Sequence, residues 1–440
     1  MWAPGPSDSV RRTLPPRATP PRPRLAPRRG ELLAVLAALA LGGGGCGEPA
    51  PAPQSEPQTA APDRAPSPAP RRGLWVLAEG SQRVLEHPER IPALLEDARR
   101  LGATDLLVQV YRGGRAWYDS QLADAAPYRA LRQAQGRDVF AELLERAHQA
   151  GLRVHAWVNV LSLAGNRDAP LLRALGGDVA AVDRLGRSIL DYPELDVPAP
   201  ERRWVRLGTP AVWLDPAAPG LAEHLARTLA ELPARYPALD GLHLDYIRYP
   251  DVLPFSPGSR FAVGLDFGYG DATRARFRGE TGLEPPFGDS VANANRWDDW
   301  RRERVTEVVR RVREAARAAS PGLALSAAVW AWADRAYLAL GQDWRRWLEE
   351  GLLEFAVPMA YTRDDRLLRY QAQGFAASPA GDRIWIGLGA WLFARQPAGA
   401  LEQLRIAREV GAAGDALFSW DAIAEAPALR EALARAAAQP

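Results

Sequence analysis

Residues 240–250 read DGLHLDYIRYP. From Gly241 to Ile247 the side chains alternate in character, and successive side chains of a strand point to opposite faces. Leu242 and Leu244 therefore share one face, while His243 and Asp245 share the other. Leucines on one side suit a layer of surrounding helices; a histidine and a carboxylate on the other suit the interior of a closed barrel. An unpartnered buried carboxylate is costly by several kcal/mol, so Asp245 is expected to be paired, solvated or functional. Arg248 and Tyr249 stand just beyond it as adjacent partners.

The preceding apolar run, Leu152 to Asn159, follows the same arithmetic: His155, Trp157 and Asn159 oppose Val154, Ala156 and Val158. Two consecutive strands thus present His, Asn, His and Asp to a shared interior. Outward from these, short runs rich in Val, Leu, Ile and Trp alternate with stretches of helical period, the pattern of βαβ units. Eight strands are expected, at 74–79, 105–111, 152–159, 241–247, 323–330, 353–360, 384–390 and 416–420. The helices expected to follow them span 88–101, 137–150, 219–235, 294–319, 343–350, 364–374, 398–410 and 426–437. Eight units predict an α/β fold of the (β/α)8 TIM-barrel type, with long loops after strands 3 and 4 at 160–212 and 249–293. No GxGxxG follows the first strand, which argues against an open dinucleotide-binding sheet.

The ends of the chain differ from its middle. Residues 31–41, ELLAVLAALAL, form an apolar run that closes in four glycines and Cys46. As a helix this run rises only about 16 Å, roughly half a bilayer core, so it fits an export signal better than a membrane span. The domain organisation expected is an export signal over 1–46, a Pro/Ala-rich disordered linker over 47–72, and one barrel over 73–437. Of the 39 prolines 16 fall in residues 1–72, whereas 14 of the 15 tryptophans follow them, so only the second part has the composition of a packed core.

Charge is nearly balanced, with 55 basic against 53 acidic residues, and implies no nucleic-acid partner. Every basic residue is arginine, which removes Schiff-base and phosphate-loop lysine chemistry. A single cysteine excludes a disulfide framework and a four-cysteine zinc site. Chemistry is left to carboxylates, histidine, tyrosine and arginine, with no cofactor required.

The segment DGLHLDYIRYP resembles the acidic fourth-strand motif of glycosyl-hydrolase-like family 10, a group of bacterial (β/α)8 proteins. VQVYRGGRAWYDS from Val108, HAWVN from His155, VWLDPAAPG from Val212, WDDWRRERV from Trp297 and GLLEFAVPMAYT from Gly351 agree with it in order along the chain. The resemblance implies a glycosidase-like barrel. Some relatives resemble outer-membrane lipoproteins that cleave peptidoglycan glycan strands stripped of their peptides. Cys46 also sits where bacterial lipoprotein signals carry their lipidated cysteine, although Gly43 replaces the usual leucine. The location implied is the cell envelope, with a membrane anchor through lipid on Cys46.

Glycoside hydrolysis generally uses two carboxylates. Asp245 is the first candidate; a structural carboxylate paired with Arg248 is the plainer alternative. For the second, Glu79, Asp364 and Asp421 all follow strand ends, and Glu79 is favoured. Arg112, His155, Asn159, His243, Arg248, Tyr249, Trp330 and Tyr361 are expected to bind a polysaccharide substrate. Trp332, Trp391 and Trp420 lie at strand ends where rings stack on sugars, and Phe255, Phe261, Phe267 and Tyr269 offer a groove in the second insertion. Asp215, before Pro216, reads as a helix N-cap. Two rival readings are a metal-dependent polysaccharide deacetylase built on His155, His243 and Asp245, and a glycan-binding lipoprotein without catalysis.

Overall fold

The computed structural model describes residues 70–192, 211–250, 266–285 and 290–438. The export signal, Cys46, nearly all of the linker, Phe255 and Phe261 lie outside the described residues. Eight parallel strands pair in chain order: β1 (Arg71–Val76), β2 (Asp105–Arg112), β3 (Arg153–Asn159), β4 (Gly241–Asp245), β5 (Ala324–Trp330), β6 (Phe355–Met359), β7 (Trp385–Gly389) and β8 (Gly414–Phe418). β8 also pairs with β1, so the sheet closes into a barrel. Its first strand starts at Arg71, ahead of the expected boundary at residue 73. Arg71 and Arg72 read as linker because they are charged, but each is neutralised inside the fold, by Asp105 and Asp415 respectively.

The expected helices all form, at Ile91–Arg100, Val139–Gln149, Leu221–Arg235, Val291–Ala319, Trp344–Glu349, Asp365–Ala376, Pro397–Glu409 and Pro427–Ala437. Three longer ones went unforeseen: Ala126–Gln135, Asp271–Thr281 and Ala333–Leu340. Each lies in a loop after a strand and buries only one or two side chains. Asp215 caps no helix; the nearest begins at Leu221. Its buried carboxylate instead accepts from Ala217 N, Thr273 Oγ1 and Tyr249 Oη at 3.0, 2.7 and 3.4 Å, tying the segment ahead of the 221–235 helix to the second insertion.

Inside the barrel, large side chains stand against missing ones. A Cβ on Gly241 would lie 2.3 Å from His155 Nδ1, one on Gly414 2.8 Å from Trp385 Cγ, and one on Gly387 3.3 Å from Trp75. These glycines make room for rings in a space too narrow for eight large residues per layer. The N-terminal end of the interior is closed by Asp105, which accepts from Arg71, from Arg153 Nε at 2.8 Å and from His155 Nε2 at 3.0 Å. Burial pushes this carboxyl up, but the bond and charge of His155, the Thr104 hydroxyl and Arg153 win and hold it well below the usual range.

Candidate active site

A pocket of about 490 Å³ opens at the C-terminal end of the barrel, where such folds carry their sites. Asp245, the last residue of β4, lies in it and is 8% exposed. Its Oδ2 accepts from the Trp157 indole N–H at 3.1 Å, and its Oδ1 from the Tyr246 backbone N–H at 2.7 Å. Tyr246 holds the left-handed conformation with φ of 52°, which is sparsely populated for a residue with a side chain and costs of order 1 kcal/mol. That turn aims the amide back at the carboxylate. Burial pushes the Asp245 carboxyl up to about 6, against the pull of the Tyr246 amide, the Arg248 guanidinium and the Trp157 N–H. A carboxyl with this value is half protonated near pH 6 and can donate a proton under mild conditions.

Arg248 also lines the pocket, its guanidinium 5.0 Å from the Trp213 ring, 5.3 Å from Tyr246 and 5.7 Å from Trp330. The aromatic rings around it favour the cation. Across the barrel, Glu79 follows β1 and is held by two arginines: Arg112, and Arg115 at 2.7 Å. Glu79 and Asp245 are the two carboxylates in the pocket wall among the described residues. A β-bulge between Gln109 and Tyr111 shifts the phase of β2 there. Tyr111 consequently packs toward the helices, and Arg112 turns into the pocket.

Asn159 lines the pocket beside Gln109, whose Nε2 donates to Asn159 Oδ1 at 3.2 Å. Trp330 and Trp332 form one wall, and Met359, Tyr361 and Phe418 another. The Tyr361 hydroxyl is covered and has no hydrogen-bond partner among the described residues. Burial, then the charge of Asp245, pushes it well above the usual tyrosine range, so it stays a neutral donor. Trp391, 40% exposed, packs against Tyr361 at 4.8 Å and stands at the rim.

Several expectations need correction. His155 and His243 do point inward, but they lie beneath the pocket and line none of it. His155 belongs to the Asp105 cluster. The His243 ring is fully buried; its Nε2 accepts from Trp75 Nε1 at 3.2 Å, so its Nδ1 donates to Ser326 Oγ at 2.9 Å. Burial and the nearby His155 hold His243 well below its usual pKa, and hence neutral. The metal reading loses its constellation: His155 is bonded to Asp105, His243 to Trp75 and Ser326, and Asp245 to Trp157 and Tyr246, and no group of three His, Cys, Asp or Glu side chains converges among the described residues. Tyr249 faces away from the pocket toward Asp215 and Arg301. Asp421 accepts from the Leu77 and Gln82 amides and braces the loop after β1; Asp364 caps the 365–376 helix. Trp420 is buried and donates to Asp97, while Phe267 and Tyr269 are packed rather than groove-lining. The sequence reading missed Gln109, Trp157, Tyr246, Met359 and Phe418. Strand alternation offered Trp157 on the inward face; for Gln109 the signal was an amide in an apolar run.

The model of the glycosyl hydrolase-like 10 family matches residues 70–378. Glycosyl hydrolase DigH of Escherichia coli K12 is 24% identical over 358 residues, covering 72% of this chain and 73% of that protein. Glycosyl hydrolase YngK of Bacillus subtilis is 23% identical over 304 residues, covering 65% of this chain and 51% of that protein. Among solved structures, the PgaB (BpsB) glycoside hydrolase domain of Bordetella bronchiseptica superposes with a TM-score of 0.61 at 17% identity, covering 83% of this chain and 99% of that one. At such identity the likeness speaks for the fold.

Proposed function

The chain belongs to the glycosyl hydrolase-like 10 family, and from this premise we propose that it is an exported glycoside hydrolase that cleaves O-glycosidic bonds of a polysaccharide, with peptidoglycan glycan strands as the substrate. The observation that carries the reading is Asp245: a buried carboxyl at the end of β4, pushed up to about 6, facing a pocket walled by tryptophan, tyrosine and arginine. Asp245 donates its proton to the glycosidic oxygen as the bond to the anomeric carbon breaks. Glu79, across the pocket, is the second carboxylate; it stabilises the charge that develops on the sugar or activates the attacking water. Asn159, Arg112, Arg248, Trp330 and Tyr361 hold and orient the sugar, Tyr361 with its ring in the pocket wall.

Residues 31–47 and the Pro-rich stretch after them support export, with the lipid on Cys46 tethering the barrel to the envelope. Metabolic labelling with a fatty acid that is lost in Cys46→Ala tests this; equal labelling of the variant overturns it.

One observation favours a second reading, glycan binding without hydrolysis: both oxygens of Glu79 are engaged by guanidinium groups. The same experiment separates the two. Reducing ends released from peptide-free peptidoglycan strands are measured for the protein and its Asp245→Asn variant, with and without a chelator. Release that survives chelation and falls at least about a hundredfold in the variant supports acid catalysis by Asp245. Binding without release selects the second reading, and release abolished by the chelator overturns both.

A further inference from the structure

Beside the central pocket lies a second depression of about 410 Å³, whose wall includes Asp334, Tyr337, Leu338, Asp343 and Arg345. The two are joined by shared structure. Trp332 lines the pocket, and the helix that walls the depression begins at the next residue. Gln342, in the wall of the depression, accepts from the backbone N–H of the pocket residue Trp330 at 2.8 Å.

Of the seven exposed large hydrophobic side chains among the described residues, Trp332, Tyr337 and Leu338 fall within one short stretch, which makes a patch rather than a scatter. Tyr337 is the most constrained of them. The Arg302 guanidinium lies 3.7 Å from its ring centroid and donates to its carbonyl oxygen at 2.7 Å, yet the residue is 39% exposed. A ring backed by a cation and still partly exposed in the wall of the depression is a rigid platform, and it binds an apolar face with little ordering cost. The flat C–H face of a pyranose fits it, while Asp334, Asp343 and Arg345 offer partners for hydroxyl groups.

We propose that this depression is a further glycan subsite, which takes sugar units of the same chain beyond those held over Asp245. The inference rests on the glycosidase reading of the central pocket.

The test measures binding of peptide-free peptidoglycan oligosaccharides of increasing length, from disaccharide to octasaccharide, to the full chain carrying Asp245→Asn to prevent turnover. The expected result is an affinity gain of at least about tenfold from the shortest to the longest, as a well-packed aromatic contact gives. Adding Tyr337→Ala removes most of that gain and leaves disaccharide affinity unchanged, which also reports correct folding; Tyr337→Phe, which keeps the ring over Arg302, retains the gain. Affinity independent of length, or a gain that survives Tyr337→Ala, overturns the subsite while the central pocket's reading stands. Failure of the chain to bind any oligosaccharide, together with no release from strands by the wild-type protein, overturns the reading of the pocket and the subsite with it.

Discussion

The indole N–H of Trp157 donates to Oδ2 of Asp245 at 3.1 Å, from β3 to the neighbouring β4. This bond favours the ionised carboxylate and so works against burial, which dominates and leaves the group at about 6. Replacing the indole by a ring without an N–H, as in Trp157→Phe, should raise Asp245 further. Activity that depends on protonated Asp245 falls as pH rises through about 6 in the wild type. In the variant that fall should move upward by roughly one pH unit, the worth of a hydrogen bond to a charged group. A pH–rate profile of kcat/KM checks this, and an unmoved alkaline limb would show that Asp245 is not the acid.

The same carboxyl links stability to pH. Its folded value of about 6 lies above the ordinary 3.8, so between these values the folded state binds more protons than the unfolded one. The contribution of Asp245 to stability is therefore largest in acid and declines as pH rises from about 4 to about 6. In Asp245→Asn that titration is absent. The Tm difference between variant and wild type should move in the variant's favour across this window and level off above it; a flat difference would contradict the raised value.

Glu79 is the test of two-carboxylate chemistry. Glu79→Gln should lower kcat at least about a hundredfold with little change in disaccharide affinity if its charge acts in the transition state. A change confined to KM would instead give it a binding role shared with Arg112 and Arg115.

Gly241→Ala should destabilise the barrel by roughly 2–3 kcal/mol in denaturant unfolding, the usual scale of overpacking. The added methyl would lie 2.3 Å from His155 Nδ1 and 2.8 Å from the Ala324 carbonyl oxygen, and neither the ring locked on Asp105 nor the strand can give way. Stability within a few tenths of a kcal/mol of wild type would mean the interior is looser than this packing implies.

His243 should remain neutral, with its proton on Nδ1, as the pH falls through the range in which an ordinary histidine protonates. Nitrogen-detected NMR of histidine side chains reads the tautomer directly. Protonation near pH 6.5 would require Trp75 to release its bond to Nε2.

Much of the fold was legible because it depends on local periodicity. Alternation in Gly241–Asp245 and Arg153–Asn159 placed Trp157, Asn159 and Asp245 on the inward face, and counting eight apolar runs gave the closed barrel. Depth along the strand was another matter. His155, Trp157 and Asn159 share a face, yet only the last two reach the pocket, since His155 sits two residues nearer the closed end and meets Asp105 from β2. Sequence spacing does not say where the neighbouring strand's register will put a buried partner.

The sequence by itself therefore determined the order of the eight strands and of the eight helices that alternate with them, the inward set, and Asp245 as a carboxylate at the mouth, because each follows from side-chain period along one element. Only the tertiary structure decided that Tyr249 leaves the pocket for Asp215, that a bulge in β2 delivers Arg112 to Glu79, and that Asp421 braces a loop. Those outcomes depend on which groups from distant segments satisfy one another once water is excluded, and that pairing is fixed by packing in three dimensions rather than by any local pattern.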